Sequence, residues 1–223
     1  MCFSAEASFG AGALLSVIGI ATIKQVQDRS QFPFALLPFV FAFQQFSEGF
    51  VWITLADANF ASWQYIPIYI FIVIAQVVWP VLVPLAILLM ERDAKRRKIL
   101  TFLLIIGITL AAYHIFCLFN YNVYAEIKSF HIYYALYYPH PKPFLDATFY
   151  LIPTIMSPFF SSIKKMKILG TLIFFSFIVS LVFFTDYVLS VWCFFAAIIS
   201  GVIYLILKQP VGLLKIEKIQ AGL

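Results

Sequence analysis

The chain has 223 residues, of which 63% are hydrophobic and only 11% are charged, and phenylalanine alone occurs 26 times. Soluble globular domains average about 25% charged residues. The composition therefore predicts an integral membrane protein and excludes an ordinary soluble domain. The net charge of +5 does not indicate nucleic-acid binding, because the basic residues lie in short segments between apolar runs.

Seven apolar stretches follow one another along the chain, each near the roughly 17–25 residues that a spanning helix needs. The first lacks the basic segment that opens a signal peptide, so we expect a retained helix. The sequence thus predicts an all-α, polytopic membrane bundle of seven helices that forms a single domain over residues 1–223. The predicted spans are Ala7–Ile23, Phe34–Leu55, Tyr65–Leu89, Ile99–Phe119, Leu145–Ile163, Ile168–Phe184 and Tyr187–Leu207.

The basic residues predict the orientation of this bundle. Of the 15 lysines and arginines, all but Lys128 and Lys142 fall on one side if seven spans alternate. Loops rich in lysine and arginine stay in the cytoplasm. We therefore expect the N-terminus outside, the C-terminus in the cytoplasm, and the long 120–144 connection outside.

That external connection is rich in tyrosine and proline, with the run Phe130–Tyr138 followed by Pro139-His140-Pro141. Aromatic side chains of this kind concentrate at the membrane–water interface. The composition predicts either a short interfacial helix or lid over the mouth of the bundle, or a plain aromatic belt.

The second stretch carries one carboxylate, Glu48, inside an otherwise uncharged run. A lone charge within a span costs a few kcal/mol and is retained where it is paired or used. Gln44, Glu48 and Trp52 recur every fourth residue and share one helix face, with Gln45 at its edge. This polar stripe indicates a site and does not by itself specify the chemistry.

Other stretches bring polar residues to a similar depth, about 10–12 Å below the outer surface at 1.5 Å per residue. His114 lies on the fourth stretch, and Asp146 and Tyr150 share a face of the fifth. We expect these side chains to meet Glu48 in one outward-facing polar cavity. Cys2, exposed as a terminal thiol and amine if Met1 is removed, would lie at its mouth, either as a nucleophile or metal ligand or as an ordinary second residue without a chemical role. The seventh stretch adds a stripe of Asp186, Ser190 and Cys193.

Three segments carry a resemblance to a known group of proteins: the opening MCFSAEASF, the PFALLP segment at 33–38 and the QQFSEGFVW segment at 44–52. They resemble an uncharacterised family of small bacterial membrane proteins that begin MCFSA and carry a QQxxEGxxW-like second helix. The resemblance implies a seven-helix protein of the bacterial inner membrane and no particular activity. It places Cys2, Gln45, Glu48 and Trp52 in the characteristic segments.

A weaker similarity is to the alkaline ceramidases and progestin-receptor-like membrane hydrolases, which bind zinc through three histidines. Their last helix carries two histidines in HxxxH spacing, and the seventh stretch has no histidine at all. We therefore do not carry that activity over to this chain.

Two functional classes and one structural interpretation stay open. The first is an enzyme acting on a lipid or small molecule at the outer leaflet, with Glu48 and His114 as catalytic residues. Glu48, His114 and Asp146 or Cys2 would also suit zinc, which needs three protein ligands and a water in a catalytic site.

The second class is a sensor, binding protein or transporter in which Glu48 pairs with a polar ligand or carries a proton. Prolines suit helices that kink around a cavity; they stand at positions 33, 38, 67, 80, 84, 153 and 158. In the structural interpretation, Glu48, Gln45 and His114 bond one another and only fix helix packing. The expected partners are membrane lipids and a small molecule or lipid, with no nucleic acid, and the oligomeric state is left open.

Overall fold

The computed structural model describes residues 4–128, 130–139, 149–192 and 195–208, and these are helical apart from one β-hairpin. The helices are α1 (Ala5–Ile23), α2 (Phe32–Ala35), α3 (Leu37–Ala56), α4 (Tyr65–Ile72), α5 (Trp79–Met90), α6 (Ala94–Asn120), α7 (Phe149–Phe159), α8 (Lys164–Phe183), α9 (Val188–Trp192) and α10 (Ala196–Leu207). Short 3-10 turns cover Arg29–Gln31, Ala58–Trp63 and Thr185–Tyr187, and π-helical turns cover Val73–Val78 and Ile152–Met156.

Five helical segments of the described chain are long and apolar enough to cross a membrane. They are Ala5–Ile23, Arg29–Ala56, Tyr65–Met90, Ala94–Asn120 and Lys164–Phe183. They match the first four and the sixth of the predicted spans. The fifth and seventh predicted spans correspond to shorter apolar helices, Phe149–Phe159 and Ile198–Leu207. The all-helical class is confirmed, while the count of seven spans and the orientation of the termini stay predictions.

Small residues let α1 lie close against α3. A Cβ added at Gly12 would meet the ring of Phe46 at about 2.9 Å, and one at Gly19 would meet Phe39 at about 2.7 Å. Glycine at these positions lets the rings of α3 pack directly on the backbone of α1. The large rings of α3 thus occupy the space that larger residues on α1 would fill.

Proline chemistry explains a second close approach, between α5 and α6. Pro84 lies inside α5 and has no N–H, so the carbonyl of Pro80 loses its helical hydrogen bond. The backbone of α6 passes over this carbonyl at Gly107, where an added Cβ would overlap the Pro80 oxygen. Only glycine fits at that point.

Glu91 joins the turn between α5 and α6 to the segment that precedes α8. The residue is 1% exposed, and its carboxylate accepts hydrogen bonds from the Ser162 amide at 2.6 Å and the Ser162 hydroxyl at 2.8 Å. Burial alone would raise the pKa of Glu91. The hydrogen bonds from Ser162 and from the Arg92 and Asp93 amides outweigh it and hold the pKa below its ordinary value. The buried carboxylate of Glu91 is therefore well satisfied.

A β-hairpin forms in the 120–144 connection, for which the composition left open an interfacial helix or lid and a plain aromatic belt. Strands β1 (Val123–Lys128) and β2 (His131–Leu136) pair antiparallel with Lys128 opposite His131. The helix alternative is wrong: Ile132 and Tyr134 are buried while their neighbours in β2 are only partly so, which is the period of a strand. Tyr134 stacks on Phe71 of α4 with ring centroids 4.6 Å apart, so the hairpin does cover one end of the bundle.

Replacing Gly107 by alanine should destabilise the protein by about 1–3 kcal/mol, because the new methyl group must push α6 away from the Pro80 carbonyl. Gly10→Ala is the matched control, since nothing lies within 4 Å of a Cβ at that position. Thermal unfolding of both variants in detergent measures the difference. Equal melting temperatures for the two would show that the close approach at Gly107 is not required.

Candidate functional site

The site is built around the π-helical turn Val73–Val78, where two consecutive carbonyls lose the donors of a regular α-helix. The N–H of Trp79 donates to the carbonyl of Ile74, five residues back, and so bypasses Ala75. Pro80 has no N–H, so it donates neither to Gln76 nor to Ala75. Backbone carbonyls left unsatisfied in an apolar interior cost several kcal/mol each, and other side chains must supply the missing donors.

Tyr150 and His114 supply those donors. The Tyr150 hydroxyl donates to the carbonyl of Ala75 at 2.6 Å, and His114 Nδ1 lies 3.0 Å from the carbonyl of Gln76. Because a carbonyl oxygen only accepts, this contact requires the proton on Nδ1. Two residues that the sequence predicts as site residues thus join α7 and α6 to the π-helical turn. Tyr138, beside the hairpin, donates to the side-chain oxygen of Gln76 at 3.2 Å.

Glu48 lies in a polar cluster between α3 and α9. Its side chain is fully buried, and Ser190 Oγ donates to one carboxylate oxygen at 2.5 Å. The amide of Gln45 reaches the other oxygen at 3.4 Å. Ser190 is not among the predicted site residues, although its place in the stripe on the seventh predicted span was a signal for it. The meeting of Glu48, Gln45 and His114 in one cluster stays a prediction.

Further buried polar atoms lie on the same side of α3 and on α1. Gln45 Oε1, Trp52 Nε1 and Ser8 Oγ have no hydrogen-bond partner among the described residues. One of these atoms accepts, one donates and the hydroxyl does both. This side of the bundle can therefore hold a further polar group, whether from the chain or from a ligand.

A cavity of about 70 Å³ lies next to this cluster, inside the bundle. Residues of α2, α3, α5 and α7 to α10 line it together with Ala75 of the π-helical turn, and nearly all of its surface is apolar. The aromatic members are Phe34, Phe41, Trp79, Tyr150 and Trp192. Thr154 lies in the second π-helical turn, Ile152–Met156, so both such turns contribute to the wall. Turns of this kind occur frequently at functional sites.

The lining of this apolar cavity includes only some of the predicted site residues, and their meeting in one polar cavity stays a prediction. Gln44 and Tyr150 line the cavity, whereas Glu48, Gln45 and Trp52 do not. His114 also lies outside its lining. The cavity shown here is apolar, because α3 directs only Gln44 of its polar stripe toward it.

Gln44 is the exception in this apolar wall. Its side chain is fully buried, and its oxygen accepts a hydrogen bond from Trp79 Nε1 at 2.8 Å. Its nitrogen, Nε2, has no hydrogen-bond partner among the described residues. An unpartnered buried amide is costly, so Gln44 provides a polar group that a guest in the cavity could satisfy.

Consecutive residues connect the cavity to the polar groups around it. Gln44 lines the cavity and Gln45 contacts Glu48. Leu189 lines the cavity and Ser190 donates to Glu48. The cavity and the Glu48 cluster therefore share the backbone of two helices, α3 and α9.

Two predicted residues, Cys2 and Asp146, lie outside the described residues. Within the described ranges, no group of three histidine, cysteine, aspartate or glutamate side chains could hold a metal ion. The proposed zinc set of Glu48, His114 and Asp146 includes an undescribed residue, and it stays a prediction.

Comparison with known proteins places the chain in a family. The model of a family of unknown function, DUF6629, matches residues 1–212. The chain belongs to this family. The expectation of an uncharacterised family is confirmed, and the match runs far beyond the segments that carried the resemblance. No curated protein and no solved structure matches the chain.

Proposed function

We propose that this protein is a membrane-embedded binding protein for an apolar small molecule or a segment of a lipid. The observation that carries the proposal is the apolar cavity walled by two π-helical turns. Ligand sites are typically apolar concavities with a few placed polar groups, and here the polar group is the Gln44 amide. Such binding would serve a sensor or a carrier.

Water is a poor occupant of this cavity. A volume of about 70 Å³ exceeds the roughly 10–15 Å³ that one water needs, but a buried water also needs two to four polar partners. The hydroxyl of Tyr150 and that of Thr154 already donate to backbone carbonyls. An apolar guest loses less on entering than water does, because nearly all of the wall is hydrocarbon.

We further propose the full topology of seven spans in a bacterial inner membrane, with the N-terminus outside. Five segments of sufficient length support the membrane assignment. The concentration of basic residues around Arg92–Lys98 supports a cytoplasmic position for that turn. The hairpin then lies on the outer face, over the end of the bundle nearest Glu48.

An enzyme acting at the outer side is the second candidate, and the contact between Ser190 Oγ and Glu48 favours it. A serine hydroxyl that donates to a buried carboxylate is arranged for activation by a general base. A polar lipid group held beside Ser190 would be the substrate. The two candidate functions assign different roles to Glu48. An enzyme needs it to take up a proton, whereas binding in the cavity needs no proton transfer.

Cysteine labelling tests the topology. In a background with Cys2, Cys117 and Cys193 replaced, a membrane-impermeant maleimide should label Phe130→Cys in intact spheroplasts and leave Ala94→Cys unlabelled. Phe130 is 73% exposed, and Ala94 is also exposed, so accessibility of the side chain does not limit either reaction. Labelling of Ala94→Cys before lysis would reverse the proposed orientation.

Filling the cavity tests the binding function. In phosphatidylcholine vesicles, a short alkane that carries a photoreactive diazirine should label cavity-lining residues such as Leu169 and Ile173 saturably, as mapped by mass spectrometry. Ile203→Phe places a larger side chain in the cavity and should reduce this labelling about ten-fold or more. Leu205→Phe, on the exposed face of the same helix, should leave it unchanged. If labelling does not saturate and is equal in both variants, the cavity is not a ligand site.

Substitution of Glu48 separates the two candidates. Glu48→Gln keeps an oxygen to accept from Ser190, so labelling in the cavity and thermal stability should stay near the wild-type values. If Glu48 serves as a base, the same variant should lose hydrolysis of phospholipid vesicles by 100-fold or more. Ser47→Ala is the control, because this buried hydroxyl donates only to the carbonyl of Phe43 in its own helix. If wild-type protein hydrolyses no lipid and the Glu48→Gln variant binds normally, the enzyme candidate is excluded and the binding function is retained.

A further inference from the structure

The orientation of the Gln44 amide is fixed by chemistry. A carboxamide has an oxygen that accepts and a nitrogen that donates, whereas the indole nitrogen of tryptophan only donates. The end of Gln44 that lies 2.8 Å from Trp79 Nε1 must therefore be the oxygen. The NH₂ end is left with no partner among the described residues.

Trp79 is itself held firmly in place. Its ring packs on Phe41 with centroids 4.0 Å apart, and it is 7% exposed. It begins α5 immediately after the π-helical turn. Because the indole cannot turn away, the amide of Gln44 cannot reverse without losing its hydrogen bond.

The other hydrogen-bond donors in the wall are already committed. Tyr150 donates to the carbonyl of Ala75 at 2.6 Å, and Thr154 donates to the carbonyl of Tyr150 at 2.8 Å. The indole of Trp192 donates to Ser176 Oγ at 2.8 Å. Among the described lining residues, the protons that a ligand can use are those on Gln44 Nε2.

The residues that line the cavity also determine which ligand charge it can accept. None of the described residues that line the cavity is charged. Moving an ion into such a site without a counter-charge is far more costly than moving a neutral group. A neutral ligand with an oxygen that accepts a hydrogen bond matches both the apolar surface and the amide.

Resting on the proposed binding function, we propose that the cavity selects a neutral apolar molecule with a hydrogen-bond acceptor, such as a ketone or ester carbonyl. Gln44 Nε2 would donate to this oxygen. Trp79 would be the positioning residue that sets the selection, since it holds the amide oxygen away from the ligand. The small volume admits the carbonyl and a short hydrocarbon segment.

Competition against the diazirine alkane tests this selection in vesicles, with a linear 2-alkanone, the matching 2-alkanol and the matching alkane as competitors. For wild-type protein, the ketone should compete at a membrane concentration about ten-fold below that of the alkane. In Gln44→Leu, which has nearly the same volume, the ketone and the alkane should become equal. Ser47→Ala, on the same helix, should keep the wild-type preference.

A second variant isolates the role of Trp79. Trp79→Phe removes the donor that the described residues place at the Gln44 oxygen, so the amide can turn and present that oxygen to the cavity. The alkanol, whose hydroxyl can donate to that oxygen, should then compete better relative to the ketone than it does for wild-type protein. If Trp79→Phe does not fold, the comparison of wild type with Gln44→Leu decides alone.

The possible failures are distinct. If no competitor displaces the probe from wild-type protein, the cavity is not a ligand site and the proposed function itself fails. If the alkane competes as well as the ketone, or the alkanol competes better, the cavity binds ligands but the selection for an acceptor is wrong. A ketone preference that survives in Gln44→Leu would likewise overturn the role of the amide.

Discussion

The packing of α5, α6 and α7 centres on two carbonyls of the π-helical turn Val73–Val78 that are bonded to side chains of other helices. In a soluble protein, water could satisfy Ala75 and Gln76 where Pro80 offers no N–H. In an apolar interior the donors must come from the protein. Tyr150 and His114 provide them, which draws α7 and α6 to the same turn and determines how these helices pack around α5.

This arrangement also explains why a cavity exists beside the turn. The π-helical turn carries an extra residue and widens the helix, and the second such turn, Ile152–Met156, lies in the opposing α7. Prolines at 80, 153 and 158 leave both helices unable to close into regular α-helix. The space between them is then lined by whatever side chains the flanking helices direct inward, and these are almost entirely apolar.

The sequence predicted the class of the fold and the first four spans because long apolar runs are an unambiguous signal. It did not predict the hairpin, because the segment His131–Leu136 is rich in tyrosine and shows no alternation of polar and apolar residues, so its strand period is visible only in the burial of Ile132 and Tyr134. The polar stripe of the second predicted span was recognised. That Gln44 faces the cavity while Gln45 contacts the Glu48 carboxylate was not. Gln44 and Gln45 are adjacent in sequence and about 100° apart around α3, and which neighbour each one faces depends on tertiary packing.

The different contacts of Gln44 and Gln45 give α3 its role in the proposed function. Gln44 takes part in an apolar cavity while Gln45 contacts the carboxylate of Glu48, one residue further along the same backbone. Leu189 and Ser190 repeat the pattern on α9. Packed interiors transmit displacement because they contain little free volume. A guest that engages the Gln44 amide would therefore lie beside the same two helices that hold the buried carboxylate of Glu48.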